Sequence, residues 1–237
     1  MTVGTPAQDL APALKAVALL LGYPDTALRA HVRELEGVLA ARPELDADDR
    51  RALADCVAWL ADSDLLETQA AFVETFDRSK KVSLYLFEHV YGESRDRGPA
   101  MIELSNAYRE HGLAIDCREL PDYLPMFLEF TALLPESEAR AWLADTGHIL
   151  QRIHVRLAER GSRHAAPFRV LLRLLDVDPM PEALTRMASE EQRDDTPAAL
   201  DRVWQEAPVT FGPDEPQTDC GATRQYPTER PAARPDH

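Results

Sequence analysis

The sequence predicts an all-α protein: a compact helical bundle over residues 1–203 and a Pro-rich, mostly disordered tail over residues 204–237. Three observations carry this. Apolar residues recur at helical spacing as far as Val203. No alternating Val/Ile/Thr run is bounded by hairpin turns. Beyond Trp204 the chain holds six of its 18 prolines and few large apolar side chains. A length of 237 residues corresponds to roughly one or two domains, and a chain of this size buries about 70% of its unfolded surface on folding. No repeat of solenoid period is present.

The elements follow in order. Leu10, Leu14, Val17 and Leu21 form the first stripe, stopped by Gly22 and Pro24. Leu28, Val32, Leu35 and Leu39 form the second, ended by Pro43. Asp46 caps a third helix with Leu53, Val57 and Leu60 on its inner face. A fourth carries Phe72, Val73 and Phe76. SKKVSLYLFEHVYG reads as a fifth helix, with Val82, Tyr85, Leu86 and His89 on one face and Leu84, Phe87 and Tyr91 on the other. Asp96 or Ser94 caps the next, which holds Met101, Leu104 and Tyr108 and closes at Gly112. In ELPDYLPMFLEFTALLP, Asp122 is expected as N-cap with Pro125 at the third helical position. Tyr123, Leu124, Phe127, Leu128, Phe130 and Leu134 then cover most of that helix. Apolar on both sides, it and the fifth helix are expected at the centre of the bundle, or with one face offered to a partner. Trp142, Ile149, Leu150, Ile153 and Leu157 mark a long amphipathic helix ending near Gly161; Phe168, Leu171, Leu172 and Leu175 mark a shorter one.

Charge and composition narrow the function. With 26 Lys+Arg against 41 Asp+Glu, the net charge is −15. That disfavours non-specific binding to nucleic acid or anionic membranes and leaves room for a basic partner. The longest apolar run, AVALLLGY, is too short for a membrane span, and MTVGTPAQDL has neither the basic nor the apolar region of a signal peptide. Three scattered cysteines, Cys56, Cys117 and Cys220, suit a reducing compartment. Walker, G-x-G-x-x-G, G-x-S-x-G and H-E-x-x-H motifs are all missing. His148 and His154 fall on different helical faces, and His111 with Cys117 has no second pair at zinc spacing, so no metal site and no catalytic residue is assigned.

Glu88, His89 and Glu129 are polar groups inside apolar segments. The plainer reading is a hydrogen-bonded core histidine with partly exposed carboxylates. The sharper one is a carboxylate-lined groove for a basic or amphipathic peptide. An acid–base enzyme using these three groups is a weaker third, since no nucleophile, metal or phosphate cradle accompanies them.

The run FVETFDRSKKVSLYLFEHVYGESRDRGPAMIELSNAYREHGL, followed by ELPDYLPMFLEF, closely resembles the NarJ family of respiratory nitrate reductase assembly chaperones, within the all-helical TorD-like superfamily. LLGYPDTALRA and VWQEAPVTFG fit the same pattern, so the resemblance spans about Leu14 to Gly212. The superfamily's Pro-Asp-His signature reads Pro121-Asp122-Tyr123 here.

The resemblance implies a cytoplasmic chaperone without turnover or a resident cofactor. It would bind the N-terminal, leader-like segment of the nitrate reductase α subunit and promote molybdenum cofactor insertion before membrane attachment. The cofactor biosynthesis machinery would be a further partner. A chaperone for another molybdoenzyme, such as an N-oxide or sulfoxide reductase, is the alternative. The leader would dock as an amphipathic helix. Tyr85, His89, Tyr123, Leu124 and Phe127 are the expected apolar contacts, with Glu88 and Glu129 as partners for its cations.

Overall fold

The computed structural model describes residues 9–92, 94–115 and 119–204; the expected tail beyond Trp204, Cys117 and Cys220 lie outside them, and Trp204 itself ends a helix. Among the described residues the chain forms α1 (Leu10–Leu20), α2 (Thr26–Ala40), α3 (Ala47–Asp62), α4 (Leu65–Phe72), α5 (Leu86–Val90), α6 (Arg97–Glu110), α7 (Leu124–Thr131), α8 (Glu136–Glu159), α9 (Ala165–Leu174), α10 (Glu182–Glu190) and α11 (Pro197–Trp204). The central helix is α1, buried on most sides and packed against α2, α7 and α9. A second layer is built by α3 and α8 against α9.

Local chemistry sets the ends. Aspartates cap the first four helices: Asp9, Asp25, Asp46 and Asp64 each accept a first-turn N–H, at 2.7–3.0 Å. Part of the acidity is therefore helix chemistry, with each carboxylate at the positive end of a helix dipole. Gly112 and Gly161, at φ +79° and +64°, close α6 and α8. There the N–H groups of Leu113 and Ser162 return to the carbonyls of Tyr108 and Leu157, both at 2.9 Å. The same closure ends α9 with Asp176 at φ +56°, an unusual conformation for a residue with a side chain.

Three expectations require correction. SKKVSLYLFEHVYG is not one helix. A 3-10 turn at Lys80–Val82 leads into extended backbone, Tyr85 pairs antiparallel with Tyr123, and only Leu86–Val90 is helical. Val82, Ser83, Leu84 and Leu86 are all buried, so this stretch is a buried extended connection and not one face of a helix. The segment is accordingly no central helix, although α7 is largely buried. Asp122 does not cap α7, which starts after Tyr123 and puts Pro125 in its second position. Asp122 instead caps α5 from across the junction: its Oδ2 accepts the Phe87 N–H at 3.0 Å and its carbonyl accepts that of Leu86 at 3.0 Å. Asp96 precedes α6 without a side-chain bond to the helix, its carboxylate accepting the Ser94 hydroxyl at 3.1 Å. The fourth helix continues as a π turn at Val73–Asp77, which keeps Phe72 and Phe76 together at 4.9 Å between ring centroids.

Buried ion pairs tie distant parts together. Asp49, fully buried in the first turn of α3, completes a capping box with Asp46 and pairs with Arg169 and Arg173 of α9, the latter at 3.0 Å. Near the C-terminal end, the chain after α10 is strapped across α8 and the 3-10 turn. Arg156 pairs with Glu191 at 2.7 Å, Arg160 with Asp194 at 3.0 Å, and Asp194 accepts the Ser79 hydroxyl at 2.6 Å.

Two predictions follow from these buried groups. Asp49→Ala removes a cap and the partner of two arginines and is expected to cost about 3 kcal/mol in urea unfolding. Asp48→Ala, at an exposed pair with Arg51, should cost less than about 1 kcal/mol. Equal effects would refute the assigned role of Asp49. Burial pushes His154 and His164 down to about 4. Both are neutral in the folded protein, while the unfolded chain takes up protons near the ordinary histidine value of about 6.5. Their stabilising contribution is present above that value and is lost as pH falls toward 4, by on the order of 3 kcal/mol each. His164→Phe, in the ring cage of Trp59, Phe72 and Phe76, should flatten the denaturation midpoint between pH 6.5 and 4.

Candidate functional site

Where α1 meets α2 and α7 the surface opens into a groove of about 590 Å³. Its floor is Ala18, Leu19 and Gly22 at the end of α1. One wall is Ala27, Leu28, His31 and Leu35 of α2, which recur at helical spacing; the other is Tyr123, Pro125, Met126 and Glu129 of α7 and its approach. Leu19 and Tyr23 are about half exposed, while Val32 and Leu39, on the same apolar stripe of α2 as Leu28 and Leu35, are fully buried. The second helix thus carries one apolar stripe, buried against the core along one side and half-buried at Leu28 and Leu35, where it reaches the groove. Carboxylates of Asp25, Glu119 and Glu129 stand on the rim, and no Lys or Arg is among its described lining residues.

The mouth of the groove is built by the junction around Asp122. The Tyr85 and Tyr123 rings lie 5.5 Å apart, and the Tyr85 hydroxyl donates to Glu119 at 2.6 Å. Burial pushes the Tyr123 phenol up to about 12, so it stays a neutral, amphipathic wall. Partial burial, and then the negative charge of Glu119, raise the Asp77 carboxyl above its usual range. Burial also raises the Asp122 carboxyl, opposed by the Phe87 N–H and by Arg97, whose Nη2 lies 3.7 Å away. Arg97 also lies 3.5 Å from Glu88.

The residues singled out from sequence therefore part company. Tyr123 and Glu129 line the groove, and Tyr85 supports it through Glu119 and the ring contact. Leu124 and Phe127 are core residues, almost without exposure. Glu88 is engaged with Arg97, and the largely buried His89 donates from Nε2 to the Ser83 carbonyl at 2.9 Å, its pKa lowered by burial. Neither lines the groove, so Glu88, His89 and Glu129 form no common acid–base site. Sequence reading missed Leu19, Tyr23 and the α2 wall. Its available signal was Leu19, an apolar residue lying off the α1 stripe. Among the described residues no group of three or more His, Cys, Asp or Glu could hold a metal ion.

With this geometry in view, kinship is decisive. The profile of the nitrate reductase delta subunit family matches residues 42–169. The chain belongs to that family. The nitrate reductase molybdenum cofactor assembly chaperone NarJ of Escherichia coli (strain K12) is 44% identical over 210 residues, 89% of each chain. A second relative from that strain, named for the same assembly role as NarW, is 40% identical over 214 residues, 90% of each chain. These delta-subunit relatives are named as chaperones, not enzymes. A solved structure described as a redox enzyme maturation protein from Archaeoglobus fulgidus aligns with TM-score 0.51 at 20% identity, covering 70% of this chain and 94% of that one. The delta-subunit chain shares that all-helical fold.

Groove and core are separable by mutation. Leu19→Glu, on an exposed position, should change unfolding free energy by no more than about 0.5 kcal/mol. Leu124→Ala should cost about 2–5 kcal/mol. Comparable losses at both would show that the groove floor is core.

Proposed function

We propose that this protein is an assembly chaperone for a molybdenum-cofactor nitrate reductase, acting in the cytoplasm on the client's catalytic α subunit through that subunit's N-terminal, leader-like segment. What carries the reading is kinship with NarJ along nearly nine-tenths of the chain. The groove supports the mode of binding. An amphipathic segment folding as a helix would lay its apolar face on Leu19, Leu28, Leu35 and Met126 and bring its cations to Glu119 and Glu129. The protein's net charge of −15 would speed encounter with a basic segment, and salt would weaken that steering. No helix among the described residues is long and apolar enough to cross a membrane.

Holding a client segment assists cofactor insertion by mass action. A protein that binds only the form of the client with that segment undocked stabilises this form by RT ln(1 + [L]/Kd). At a hundredfold excess over Kd this is about 2.7 kcal/mol, enough to keep an open apo-subunit populated. The cofactor belongs to the client, and the chaperone's own residues supply binding and exclusion of premature folding.

Calorimetric titration with a synthetic peptide covering the α-subunit N-terminus tests this. Saturable one-to-one binding with a negative heat-capacity change is expected, and much weaker binding of a scrambled peptide of equal charge. Leu19→Glu should weaken binding tenfold or more, whereas Glu129→Gln should weaken it a few-fold, mainly at low salt. Equal, salt-labile binding of both peptides would overturn the reading.

A further inference from the structure

The three carboxylates that line the groove are not equivalent. Asp25 is committed to α2, its Oδ1 accepting the Leu28 N–H at 2.7 Å. Glu129 stands exposed on α7 and has no bonded partner among the described residues. Glu119 is held from the side. The Tyr85 hydroxyl donates to its Oε2 at 2.6 Å, and its Oε1 has no partner among the described residues.

The donor is itself fixed. Tyr85 pairs antiparallel with Tyr123, and both of its neighbours are bonded across the junction. Leu124 donates its N–H to the Leu84 carbonyl at 2.8 Å, and Leu86 donates to the Asp122 carbonyl at 3.0 Å. The Tyr85 N–H donates to the Ser83 hydroxyl at 3.2 Å. Burial, and then the bond to Glu119, push the Tyr85 phenol up, so it keeps the proton it donates. A carboxylate set in place beforehand loses less freedom when a cation arrives than a free one does. The pull of a free, exposed carboxylate is weak and is screened by salt. A held pair that the guest then covers is screened much less.

We infer that Tyr85 is a positioning residue, whose hydroxyl sets Glu119 to receive one cation of the guest, an ammonium or a guanidinium, beside Tyr123. This rests on the reading of the groove as the client site and names the carboxylate that fixes the guest's register. One fixed acceptor takes a cation at one position of the guest, whereas Glu129 adds attraction without register.

Calorimetry on the full-length protein decides it. The ligands are the synthetic α-subunit peptide and versions in which each arginine or lysine in turn becomes uncharged citrulline or norleucine. One replacement should weaken binding about three- to tenfold, at low and high salt alike, and the others little once salt is raised. That loss should vanish on Tyr85→Phe, which keeps the ring, and on Glu119→Gln, and the peptide without that cation should bind all three proteins equally. If Tyr85→Phe weakens every peptide alike, Tyr85 is only a wall and the inference is overturned. Undiminished discrimination in both variants, or no single replacement that matters at high salt, overturns it as well. In each of these cases the groove stands as the site when Leu19→Glu still weakens binding. Wild-type binding by Leu19→Glu overturns the site and the inference together.

Discussion

The fold depends on one buried carboxylate. Asp49 has no solvent exposure, yet it joins the capping box that starts α3 and the two arginines of α9. A charge taken from water is tolerable only when its oxygens are fully engaged, and removing a partner leaves a cost of several kcal/mol. The engagement fixes α9 against α3, and α9 in turn supports α1, the floor of the groove. The site is thus placed by an ion pair that never touches it.

The groove exists because α1 and α2 carry more apolar surface than the core consumes. Gly22 and Pro24 turn the chain sharply, so α1 and α2 meet at an angle set by Asp25 capping α2 and Gln69 holding the turn. On the far side α7 is anchored through Asp122 and the Tyr85–Tyr123 bridge rather than by a cap of its own. Exposed Leu19 and Tyr23 and partly buried Met126 then line one groove. A preformed apolar surface loses less conformational entropy on binding than one that must first be ordered.

Much of the architecture was legible in sequence. Stripes in α2, α3, α8 and α9, the Asp46 cap and the Gly112 and Gly161 closures follow from local rules that tertiary contacts reinforced. The segment from Lys80 to Tyr91 was misread because the buried extended residues Val82, Leu84 and Leu86 run directly into a short helix, and together they mimic a two-faced one. Asp122 was misassigned since a capping residue is recognised by sequence neighbours, and its true partner lies 35 residues away. Of the site, Tyr123 and Glu129 could be named from their segment. Leu28 and Leu35 could not be separated from the core residues Val32 and Leu39 on the same stripe, since periodicity reports that a face is apolar and not what covers it. The short α10 has only Leu184, Met187 and Ala188 to mark its inner face and no fully buried residue.

The separation of Asp49 from its partners sets an order of events during synthesis. Arg169 and Arg173 follow it by 120 and 124 residues. At roughly 5–20 residues per second, α3 waits on the order of 6–24 seconds for the cations that neutralise it. Until then the groove walls on α2 and α7 have been made, but the helix beneath α1 has not. The groove therefore cannot be finished before translation has passed α9, and a shorter nascent chain carries its apolar walls without the support that holds them in place.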